Sequence, residues 1–153
     1  MVPATALAQQ SDDEFVQMVV DFGSRVDDES LTLLVIHMND VTTDTLFAAP
    51  AKYSLRAQAR GATMFYIHGT VKTDYELDIA WEIRWDETRI APLQVVNISN
   101  FEEGVTLSSG DQFTGILAFD TTLNLSRTVT VMNGQYRFDF LFPANVRSRI
   151  RGQ

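Results

Sequence analysis

Between Tyr75 and Trp85 six apolar side chains, Tyr75, Leu77, Ile79, Trp81, Ile83 and Trp85, alternate without a break with Glu76, Asp78, Ala80, Glu82 and Arg84. A helix would scatter those six around its circumference, whereas a pleated strand collects them on one face and sets the carboxylates on the other. At roughly 3.3 Å per residue such a strand reaches about 35 Å, longer than most. Its partners must then be long as well, or it must bend and serve two sheets. The stretch predicts a β domain with itself at the centre.

The remaining chain is read against that centre. Ser11-Asp12-Asp13-Glu14 has capping-box spacing, Phe15, Met18, Val19 and Phe22 follow at i, i+3, i+4 and i+7, and Gly23 supplies a stop, which predicts one helix over Asp12 to Phe22. Arg25 to Ser30 reads as a charged turn. Leu31 to Met38 is apolar at both parities apart from Thr32 and His37, which predicts a strand covered on both faces. Asn39 to Thr45 is rich in turn formers. Lys52 to Ala59 alternates again and, with strands ending at Val71 and Trp85, predicts a three-strand meander with odd-length loops at Gly61 and at Thr73-Asp74. Asp86 to Pro92 is a polar crossing to a second sheet. Leu93 to Phe101 and the run through Phe113, Gly115, Leu117 and Phe119 are further strands. Asn133-Gly134 predicts a type I′ hairpin loop that sets Val131 opposite Tyr136 and Val129 opposite Phe138.

One helix followed by about eight strands predicts an antiparallel β-sandwich of immunoglobulin-like type, with a closed or half-closed β-barrel as the alternative. A chain of 153 residues suits one domain, and about that size buries roughly two-thirds of its unfolded surface. The expected division is a disordered tail or signal-peptide remnant over 1–10, one β domain with its helix over 11–143, and a frayed tail over 144–153. Ala6-Leu7-Ala8 has the small-x-small form of a signal-peptidase site, so the expected location is exported, periplasmic or extracellular. No apolar run approaches the roughly 20 residues of a membrane span, so no insertion is expected. The formal charge of −8 repels nucleic acid. The absence of Cys removes thiol nucleophiles, disulfides and cysteine metal sites together.

Several constellations deserve weighing on chemistry. Glu76, Asp78, Glu82 and Asp86 share a strand face with neighbours about 7 Å apart, inside the range of paired glycosidase carboxylates. The aromatic platforms a sugar cleft needs have the opposite parity, however, so a solvated face balanced by Lys52, Arg56, Arg60 or Arg137 is the better reading. Calcium would want a compact loop rather than a strand. His37, Met38, Met64 and His68 are the residues able to build a soft copper site, but His37 and Met38 are adjacent on a strand and face opposite ways. No Gly-x-Ser-x-Gly elbow, GxGxxG, P-loop or HExxH is present. Asn97-Ile98-Ser99 and Asn124-Leu125-Ser126 satisfy the N-glycosylation pattern, relevant only to a eukaryotic secreted source.

No catalytic residue, metal or cofactor is therefore expected. The sequence points to a non-enzymatic binding or assembly module acting on a protein partner or on itself. A β-barrel carrier of a small apolar ligand is the alternative, and an enzyme of unspecified class the second. The expected contact surface is Phe15, Met18, Val19 and Phe22 of the helix with Leu34 and Ile36 of the doubly apolar strand, because helix and strand either cover each other or await a second chain.

Overall fold

The computed structural model describes residues 12–85 and 87–150. Ala6-Leu7-Ala8, the Ser11 cap, Asp86 and Arg151 lie outside the described residues. Two antiparallel sheets face each other across an aromatic core, forming the expected sandwich; the closed-barrel alternative fails because the sheets remain separate.

In chain order, helix α1 spans Asp12–Phe22, as predicted, and runs directly into strand β1, Gly23–Asp27. That strand takes the first half of the expected charged turn. It pairs with β2, Leu31–His37, through a tight reversal in which Asp28 Oδ1 accepts hydrogen bonds from the amides of Ser30 and Leu31. The larger sheet continues through β3, Thr63–Val71, to β9, Gln112–Phe119, and ends at β7, Gln94–Ser99. The smaller sheet runs β11, Tyr136–Phe140; β10, Val129–Asn133; β5, Trp81–Trp85; and β6, Thr88–Ile90. Strands β4, Tyr75–Glu76, and β8, Thr106–Leu107, make a separate two-stranded ladder.

The founding stretch therefore bends and serves two sheets, β4 in one and β5 in another. Its parity survives the break: Leu77, Trp81 and Ile83 are buried, while Glu76, Asp78 and Ala80 are exposed. Facing rings meet across the sandwich, Phe65 of β3 lying 5.2 Å from Phe140 of β11.

Two helices stand where the turn-rich run from Asn39 and the first strand of the expected meander were placed. Asn39 caps α2, Asp40–Leu46, its side-chain oxygen accepting from the amides of Val41 and Thr42 while the Thr42 hydroxyl accepts from the Asn39 amide. Lys52 to Ala59 lies in α3, Ala51–Gly61, not in a strand. Alternation at 53, 55, 57 and 59 coexists with an i, i+4, i+8 stripe of Ala51, Leu55 and Ala59, and Ala, Leu, Lys, Arg and Gln are strong helix formers, so propensity wins. Ion pairs of Asp44 with Lys52 (3.0 Å) and of Asp40 with Arg60 (3.2 Å) hold α3 against α2. Strand β3 consequently pairs with β2 and β9 rather than with the meander strands.

The last hairpin is also shifted. Val131 stands opposite Phe138, Val129 opposite Phe140 and Asn133 opposite Tyr136, so the loop is Gly134-Gln135. Gly134 has φ +57°, whereas neither Asn133 nor Gln135 has positive φ, which excludes type I′ and matches the glycine-first requirement of type II′. Asn133 is drawn out of the turn by its own side chain, which donates to the carbonyl of Asp78 at 2.8 Å. The shift is by two residues, so the apolar face is unchanged.

At the C-terminus the expected frayed tail instead begins with a helical turn, α4, Ala144–Arg147, and Val146 and Ile150 are buried in the core. Arg149 pairs with Asp21 at 2.6 Å and lies over the Phe22 ring, fastening this segment to α1.

Candidate functional site

The residues expected to form a contact surface divide sharply. Met18, Phe22 and Ile36 are 2%, 0% and 0% exposed, packed within the chain and unable to meet a partner without local opening. Val19 and Leu34 are half-buried, and Phe15 is exposed. The outer face of β2 and β3 is covered by the chain's own helices: Val19, Val41 and Leu46 pack against the cluster holding Met18 and Ile36, and Phe47, Leu55 and Ala59 pack on Met38, Met64, Ile116 and Ala118. What remains outward on α1 is Phe15 of the expected set, joined by Val16 and Val20.

The residues weighed for metal are not brought together. His37 stands opposite Phe65 and points into the sandwich, its ring 5.5 Å from that of Phe65 and 5.4 Å from that of Phe142. Burial pushes the imidazole down to about 4, so it is neutral at pH 7, and Nδ1 lies 3.0 Å from Asn39 Nδ2, which assigns it the acceptor role. His68 stands opposite Leu34 on the other face, with Nδ1 2.9 Å from Thr114 Oγ1. The carboxylates are likewise dispersed: Glu76 belongs to β4, Asp78 Oδ1 accepts from the Ala80 amide, and Glu82 pairs with Arg84 at 3.2 Å and Arg89 at 3.8 Å. Trp81 is buried and stacks on Phe138 at 6.1 Å, so it offers no exposed platform for a sugar.

The two sheet edges differ in how they are defended. Strand β1 carries Arg25 and Asp27 and ends in a cluster where Lys72 pairs with Asp27 and donates to the carbonyl of Asp28. Across from it, the Tyr136 hydroxyl donates to Asp28 Oδ2 at 2.9 Å, so the β11 side of the sandwich is drawn to this edge. Hydrogen bonds from Leu31, Ser30 and Tyr136 hold the Asp28 carboxyl below its usual range. Strand β7, Gln-Val-Val-Asn-Ile-Ser, has no charge and no proline, and among the described residues no strand pairs with its free side. Leu93 and Ile98 are 73% and 48% exposed along it. A register irregularity between Asn97 and Ser99 interrupts it, and Glu102 Oε1 accepts from Asn97 Nδ2 at 3.0 Å beside it. Sequence reasoning placed a strand here but could not see that it lies at an edge, since edge position depends on pairings with β9 far along the chain.

Among the described residues no helix is long and apolar enough to cross a membrane. No protein-family model matches the chain, and no curated protein matches it. Among solved structures it is similar to a secreted protein of Mycobacterium tuberculosis, MPT63, at 15% identity and a TM-score of 0.38, over 78% of this chain and 91% of that one. A likeness at that level bears on neither site nor activity.

Proposed function

We propose that this chain is an exported, non-enzymatic binding module that engages a protein partner by strand addition at the free edge of β7. The carrying observation is that β7 is an uncharged, proline-free edge of six residues with Leu93 and Ile98 exposed beside it. Such an edge is a template for another strand, and natural sheets ordinarily blunt it with charge. A second copy of the chain is the partner that the charge pattern admits. At a formal charge of −8, two copies repel over most of their surface, and β7 pairs with itself without opposing like charges. Export is supported by Ala6-Leu7-Ala8. The apolar carrier reading draws less support, since facing rings such as Phe65 and Phe140 fill the space between the sheets.

Light scattering over a concentration series tests the reading. Dimerisation that is lost in Ile98→Lys and kept in Val16→Lys supports it. A chain that remains monomeric to millimolar concentration refutes the self-pairing form, and dimerisation lost instead in Val16→Lys moves the working surface to α1.

A further inference from the structure

On the outward face of the smaller sheet, strand register gathers basic side chains. Arg84 of β5 stands opposite Thr130 of β10, which stands opposite Asp139 of β11. In the next row of that face Glu82, Met132 and Arg137 stand in line, and Arg89 of β6 lies beside Arg84. The loop before β10 closes the end of this surface. The result is an open cleft of about 570 Å³ lined by Arg84, Arg127 and Arg137 and by the hydroxyl residues Ser126, Thr128 and Thr130, with Leu141 as its apolar wall. Among the described residues every charged member of that lining is an arginine, on a chain whose formal charge is −8.

The nearby carboxylates stand beside the cleft and orient the guanidinium groups. Glu82 Oε2 accepts from Arg84 Nε at 3.2 Å, and Asp139 Oδ1 accepts from Arg137 Nε at 3.1 Å. Asp139 is itself fixed by the Thr130 hydroxyl at 2.7 Å, and this bond, with that of Arg137, holds its carboxyl below the usual range. Both arginines are thus gripped through Nε, which leaves the terminal amino groups to face a ligand. Ser126 Oγ donates to Asn124 Oδ1 at 2.6 Å and Thr130 is committed to Asp139, so the donors that face a ligand are the guanidinium groups of Arg84 and Arg137 and the Thr128 hydroxyl.

We propose that this cleft binds an oxyanion ester, a phosphate or a sulfate, carried on a polar molecule of sugar size. A guanidinium fork matches the oxygens of such a group and stays charged at every working pH. The cleft is several times larger than a bare phosphate needs, which leaves room for the carrier, and Leu141, 63% exposed, offers a wall to its apolar face. A polyanion is disfavoured by the charge of the remaining surface.

Isothermal titration at low salt, with glucose 6-phosphate, glucose 6-sulfate and glucose, is the test. At least one ester should bind saturably and glucose should not, and the tighter ester identifies the oxyanion. Arg84→Gln and Arg137→Gln should each weaken binding about ten- to a hundredfold, as loss of a charge-assisted hydrogen bond does. Arg84→Lys, which keeps the charge and loses the fork, should weaken it too. Arg25→Gln removes the same charge on β1, outside the cleft, and should leave affinity unchanged. Thermal melts of each variant establish that the fold is intact. No saturable binding of either ester below about 10 mM, equal binding of glucose, or equal weakening by Arg25→Gln overturns the assignment. Ile98→Lys should bind the esters normally, so failure at the β7 edge and failure at the cleft are separable.

Discussion

Replacing Gly115 by alanine should cost this protein more stability than the loss of any one surface ion pair. Gly115 sits in the middle of β9, opposite Ile67 on one side and Asn97 on the other. A Cβ built there would meet Cδ2 of Phe101 at 2.0 Å and Cγ at 2.4 Å. Carbon atoms rest at about 3.5 to 4 Å, so the ring must retreat by roughly 1.5 Å. Its retreat is blocked, because Phe101 stacks on Phe113 at 6.1 Å and 13°, and Phe113 lies over Gly69, where a Cβ would meet its ring at 2.2 Å. Both rings are 1% exposed. Intrinsic strand preference favours alanine over glycine by about 0.5 to 1 kcal/mol, while overpacking of a closed site costs about 1 to 3 kcal/mol or more. With the ring's retreat blocked the cost lies toward the upper end of that range, so we expect a net loss of about 1 to 2.5 kcal/mol, a fall in Tm on the order of 2 to 10 °C for a chain of this length. Urea unfolding with an unchanged m-value is the assay. Phe101→Leu in the same chain should return part of the loss, giving a coupling energy of about 1 kcal/mol or more. Gly61→Ala is the control: nothing lies within 4 Å of its Cβ, it closes a helix, and it should stabilise by a few tenths of a kcal/mol. A Gly115→Ala chain within about 0.5 kcal/mol of the parent would show that the two rings do not lock each other.

Gly134→Val places a β-branched residue at φ +57° with open space around it, so a midpoint loss of about 1 to 2 kcal/mol should arise from backbone conformation alone; an unchanged urea midpoint would refute the loop assignment. His37 has a folded pKa of about 4 against an unfolded 6.5, so the unfolded chain takes up a proton first as pH falls; stability should be intact above about 6.5 and decline towards 4, a loss on the order of 3 kcal/mol that His37→Gln removes from the pH profile measured by denaturation. Trp81→Ala should cost about 3 to 5 kcal/mol, and the parent's tryptophan emission should be blue-shifted and poorly quenched by iodide, whereas freely quenched emission would place the indoles at the surface.

What the sequence made legible follows the range of the forces involved. Helix α1 could be read to the residue because its apolar period and Gly23 stop are local. Parity also survived in the central stretch: Trp81 and Ile83 are inward and Glu82 outward although their strand is half as long as expected. Helix α3 was missed because its contact with the sheet is slight. It buries no residue fully, resting Leu55 and Ala59 on Met38 and Met64, so its apolar stripe was too short to outweigh an accidental alternation. Helix α2 had a readable signal in Asn39 and Thr42, a reciprocal cap that turn-like composition obscured. The Asn133-Gly134 rule failed for a tertiary reason, the bond from Asn133 to the Asp78 carbonyl in the connection between β4 and β5. The arginine cleft was invisible in the same sense: Arg84 and Arg137 are far apart in the chain, and the register of β5, β10 and β11 sets them on one face.

The placing of β3 between β2 and β9 has a consequence for how the chain comes into being. Its first neighbour arrives early and brings α2 and α3 with it as a local unit, but residues 72–111 separate it from the second. Pairings of that separation are slow to close. A chain delivered from its N-terminus at roughly 5 to 20 residues per second holds the β3 edge open for seconds, long after a hairpin can form. That edge, Thr-Met-Phe-Tyr-Ile-His-Gly-Thr-Val, carries no carboxylate, lysine or arginine to discourage the wrong strand. The nascent protein thus passes through an interval in which its most aggregation-prone surface is one that the finished molecule never shows.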